Sequence, residues 1–174
     1  MNPSLSQILS EIKDSDIHKA RNATVRATLV LERDVRGYWD REMIEGSPQP
    51  GLYDQIFTDE DMAAFIKELA IFSQDSSLAQ ELRESTISAL CVSNRLEVFS
   101  FFVELLKRSE NFKSLCETTD ILYRIAFIRD EKEFYLQRTD DLREIITKLK
   151  GMDFTDDTAK IAKQHLFAKL GEQS

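Results

Sequence analysis

The residues of this chain best placed for chemistry are its carboxylates. Two acidic side chains three residues apart share one face of a helix, and facing pairs of that kind can hold Mg²⁺ for pyrophosphate hydrolysis. Glu81-x-x-Glu84 and Glu117-x-x-Asp120 have this form. The same spacing recurs at Glu11/Asp14, Glu42/Glu45, Asp130/Glu133, Asp141/Glu144 and Asp153/Asp156, and chance alone supplies such pairs in a chain with 31 acidic residues. A helix over Leu96–Leu106 also stands between the first two pairs. A Mg²⁺-dependent nucleotide pyrophosphohydrolase is therefore carried as an alternative, behind readings without catalysis.

Other chemistries find less support. Neither His18 nor His165 is followed by Asp, neither stands three residues after a Glu, and no His-Glu-x-x-His occurs. His165, beside Ile161 and Ala162, reads as a helix residue at the margin of the core. Cys91 and Cys116 lie in helical apolar patterns, too far apart for a metal motif or a disulfide framework, and read as inert core thiols. No Gly-x-Ser-x-Gly elbow is present. The expectation is no enzyme, no catalytic residue, no metal and no cofactor.

One basic island stands apart. Between His18 and Met43, Lys19, Arg21, Arg26, Arg33, Arg36 and Arg41 outnumber the acidic residues, in a chain whose net charge is −8. Lys19, Arg26 and Arg33 recur every seven residues, which sets them along one helical face about 10 Å apart. Tyr38 and Trp39 follow. These five residues are the candidate partner-binding strip, with tryptophan and arginine as anchors for an acidic partner. The competing expectation is a solvated face paired with the chain's own carboxylates, with Trp39 in the core.

The elements that must carry these residues are helical. From Leu52 to Lys150 there is neither glycine nor proline, which leaves few places for tight hairpins or phosphate-cradling loops and favours helices joined by polar turns. Ser4 after Pro3 is the expected first cap, ahead of the stripe Leu5, Ile8, Leu9 and Ile12. A helix follows from about residue 17 to 44. Residues 45–57, with Pro48, Pro50 and two glycines, read as a surface loop. Thr58-x-x-Asp61, Ser77-x-x-Gln80 and Asn94-x-x-Glu97 open the next three helices. Asn111 precedes one running to about Ile128, Thr139 or Asp140 starts one ending at Gly151, and Asp153 or Thr155 starts the last, ending at Gly171. Asp130–Arg138 fits a short helix or a loop. Leu96–Leu106 and Ile121–Ile128 are apolar nearly all round and belong between other helices.

Length and composition fit one domain over residues 1–174, with 42% hydrophobic and 31% charged residues. The acidic balance disfavours nucleic acid and anionic membranes as partners. No apolar run reaches the roughly 20 residues of a membrane span, and the first residues lack a signal-peptide pattern, so a cytoplasmic setting is expected.

A faint repeat runs through the helices. Ile66, Leu69, Thr86, Ala89 and Leu90 superpose without gaps on Val103, Leu106, Tyr123, Ala126 and Phe127, and on Ile146, Leu149, Leu166, Lys169 and Leu170. Leu5, Ile8, Val25, Thr28 and Leu29 keep the same spacing. In period and apolar pattern the chain resembles armadillo and HEAT-like α-solenoids. The resemblance implies an all-α fold of stacked helical hairpins, with an irregular helical bundle as the alternative. It also implies a non-catalytic module that offers a groove or helix face to a protein partner. A dedicated inhibitor, such as an immunity protein or antitoxin, is the second reading. The sequence names neither the partner nor the oligomeric state.

Overall fold

A computed structural model of the protein describes residues 1–36, 57–109, 117–128 and 131–171. The described residues form helices and no strand: α1 (Pro3–Ile12), α2 (Ile17–Arg36), α3 (Asp59–Gln74), α4 (Gln80–Cys91), α5 (Leu96–Arg108), α6 (Thr118–Ala126), α7 (Glu131–Gln137), α8 (Thr139–Leu149) and α9 (Asp157–Lys169). The all-α expectation holds. Two compact units, Met1–Val98 and Phe99–Ser174, divide within α5. Among the described residues no helix is long and apolar enough to cross a membrane.

In the first unit, polar side chains start α1, α2 and α3, though not always the expected ones. Asn2, not Ser4, caps α1: its Oδ1 accepts the Ser4 N–H at 2.9 Å. Pro3 takes the next position, where its missing N–H costs nothing. Asp16 accepts the N–H groups of His18 and Lys19 at the start of α2. Thr58 and Asp61 form the expected capping box of α3, each side chain accepting the other's backbone N–H. Ser77 does not cap α4. It closes a turn on Asp75, whose Oδ1 accepts its N–H at 2.9 Å and its hydroxyl at 2.6 Å, and α4 begins after Ala79 without a side-chain cap.

The four helices α1–α4 neighbour one another in a particular order. α1 lies beside α2 and α3, and α4 beside α2 and α3. Both ends of α1 find the matching end of α3: the N-terminal ammonium lies 3.6 Å from Asp61, and Lys13 Nζ lies 4.3 Å over the Phe72 ring. These two helices are therefore parallel. So are α2 and α4, tied near their starts by Arg21–Glu81 and near their ends by Arg95, which bonds Asp34 at 2.6 and 2.8 Å and Asp59 at 2.9 Å. Leu5, Ile8, Val30, Leu31, Phe65 and Leu69 lie in the core between them. Ala20, Ala23 and Ala27 put small residues on the buried face of α2, which lets its neighbours approach closely.

In the second unit, α6 occupies the later part of the helix expected from Asn111 to about Ile128; residues 110–116 lie outside the described residues. Glu117 adopts φ +58°, a left-handed conformation that no α-helix passes through. The charged segment up to Arg138 is helical, as α7. Asp156, three residues past Asp153 and one past Thr155, caps α9 by accepting the Ala159 N–H at 2.9 Å. Gly151 and Gly171, with φ of +98° and +68°, close α8 and α9 as expected. α9 packs on α6 and α8, and α8 on α7. Between α5 and α8, Lys107 meets Asp141 at 2.7 Å and Arg138 meets Glu104 at 3.2 Å.

The repeat register is kept on first helices and broken on second ones. Leu5, Ile8, Ile66, Leu69, Val103, Leu106, Ile146 and Leu149 are all buried. Thr86, Ala89, Leu90, Ala126 and Leu166 are buried too, but Val25, Tyr123 and Phe127 are exposed. Ile121–Ile128 is therefore not enclosed on all sides. Lys169, the polar residue in an apolar column, sets its ammonium 4.4 Å over the Tyr135 ring.

Candidate functional site

The basic strip on α2 does not stand free. Arg26 is buried at 6% exposure, with its guanidinium paired to Glu11 of α1. Lys19 pairs with Asp14 at 2.6 Å, and Arg33 is half-buried. At Lys19 and Arg26 the seven-residue spacing thus serves pairing with the chain's own carboxylates. Heptad spacing fixes an angular position on the helix; it does not reveal that α1 covers part of that face. Tyr38 and Trp39, and the loop at 45–56, lie outside the described residues.

The carboxylate pairs separate in the same way. Glu81 pairs with Arg21, and Glu84 accepts from Gln80 at 2.7 Å. Asp141 is held by Lys107 and Arg138, which keep its carboxyl below the usual aspartate range: the Lys107 hydrogen bond is the larger cause, and burial opposes it. Glu42, Glu45 and Asp130 lie outside the described residues. Two pairs remain, and the fold brings them together: Glu117 and Asp120 at the start of α6, and Asp153 and Asp156 before α9.

Among the described residues these four carboxylates line one cleft of about 500 Å³, with Thr118, Thr119, Phe154 and Thr155 between them. The carboxyl of Asp120 is pushed above its usual range, first by burial, then by its hydrogen bond to Glu117 and by that group's charge, with Asp156 adding; Arg124 opposes the shift. Carboxylates at helix N-termini also meet the positive ends of the helix dipoles, which makes their concentration there tolerable. Among the described residues no three His, Cys, Asp or Glu side chains are placed to hold a metal ion.

The helices that meet at the cleft also share an aromatic ladder. Asp120, Tyr123 and Phe127 follow one another at helical spacing on one face of α6. Tyr123 and Phe127 rings lie 4.7 Å apart, and Phe127 stacks on His165 of α9 at 4.2 Å and 17°. Because α6 and α9 both start at the cleft and meet again at Phe127–His165, they run parallel. Tyr123 is 44% exposed, Phe127 36%, and Ile161, one turn before His165, 53%. The face is thus acidic at one end and aromatic and aliphatic along its length. His165 is where it was expected, at the core margin, but its work is stacking. The ladder was missed in the sequence because the repeat placed Tyr123 and Phe127 in buried columns; the signal that could have found it is Tyr-x-x-x-Phe one turn beyond Asp120. Comparison with protein-family models, with curated proteins and with solved structures finds no match to this chain.

Proposed function

We propose that this chain is a non-catalytic protein–protein interaction module built of stacked helical hairpins, and that its contact face is the paired surface of α6 and α9. The observation that carries the reading is the ladder of Tyr123, Phe127 and half-buried His165, with Tyr123, Phe127 and Ile161 exposed. Large apolar side chains scattered singly over a surface are ordinary, whereas several on one face mark a place where another molecule sits. Tyrosine and phenylalanine suit such a face, since they bring large area at low entropic cost.

The parallel pairing of α1 with α3 and α2 with α4 supports hairpin stacking over a closed bundle. In an up-and-down bundle successive helices lie side by side and antiparallel, so α3 would pack on α2. Stacked hairpins instead set first helix on first and second on second. The parallel run of α6 and α9 follows the same rule.

A dedicated inhibitor, such as an immunity protein or antitoxin, is a narrower form of this reading, favoured by the acidity of the cleft, because opposite charge speeds capture of a basic target. Rescue of cells from a toxin encoded beside this protein would test that form. The general reading is tested by capture from lysate of the protein's own source, using the wild-type chain and Tyr123→Ser/Ile161→Ser. A partner held by the wild type and lost by the variant is the expected result. Capture of nothing by either, under conditions that preserve known complexes, contradicts it.

A further inference from the structure

We draw no further inference here: the strongest candidate, the exposed surface patch of Tyr123, Phe127 and Ile161 on α6 and α9, belongs to the face already described, and nothing in the structure shows what covers it.

Discussion

Arg26 and Asp120 show how much one charged group's surroundings decide. Arg26 sits in a chain of basic residues that reads as a surface strip, yet its side chain is 7% exposed and joined to Glu11. Removing one partner of a covered ion pair strands the other, so Arg26→Ala should cost about 3 kcal/mol in urea unfolding. Burial raises the Glu11 carboxyl, but hydrogen bonds from Gln7 and Arg26 outweigh it and hold the group below its ordinary 4.5. A carboxylate depressed on folding contributes stability that is present above its unfolded value and lost as pH falls through the folded one. The gap between wild type and Arg26→Ala should therefore be full at pH 7 and narrow below about pH 4.5. Asp120 has the opposite sign. Its carboxyl is raised by burial and by Glu117, so its contribution is full below the ordinary 3.8 and is lost as pH rises through the folded value. Asp120→Asn should raise the melting temperature at pH 7, and the gain should vanish in melts below pH 3.8. Glu117 stores backbone strain at φ +58°. Such a conformation costs an L-residue about 1 kcal/mol, which glycine does not incur.

Helices α1, α2, α3 and α9 start where a short polar side chain reaches a free N–H, and the sequence showed some of these starts better than others. Thr58 and Asp61 were legible because a capping box is reciprocal: both residue types must be right, at one fixed spacing. Ser4, Ser77, Asp153 and Thr155 were misleading because each is a good cap type near a better-placed competitor, Asn2, the Asp75 turn or Asp156. Thr58→Ala should therefore destabilise the protein by about 1 kcal/mol, and Asn2→Ala by a similar amount, both read by thermal or urea unfolding. The face of an element was harder to read than its start. Buried stripes on first helices were plain, since Leu5, Ile8, Ile66 and Leu69 are apolar at helical spacing and have no other use. Aromatic residues are ambiguous: the same Tyr123 and Phe127 satisfy a core column or an exposed ladder, and only neighbouring helices settle which.

For the molecule as a whole, a net charge of −8 and an acidic cleft make long-range attraction part of any encounter. Association of a basic peptide with this chain should slow as salt rises from 50 to 500 mM, while dissociation changes little, because screening acts mainly on approach. Stopped-flow mixing would measure both. Composition and periodicity alone determined that the chain is helical, since a long span without glycine or proline, with apolar residues at helical spacing, has few other ways to bury its surface. They also located most helices and many core residues. What only the tertiary structure decided is which residues meet. Arg26 finds Glu11, Arg95 finds Asp34 and Asp59, and two carboxylate pairs more than thirty residues apart share one cleft. Spacing along a helix gives a side chain its direction, and direction says nothing about what lies there. That depends on which helix packs alongside, and so on contacts between residues distant in the chain.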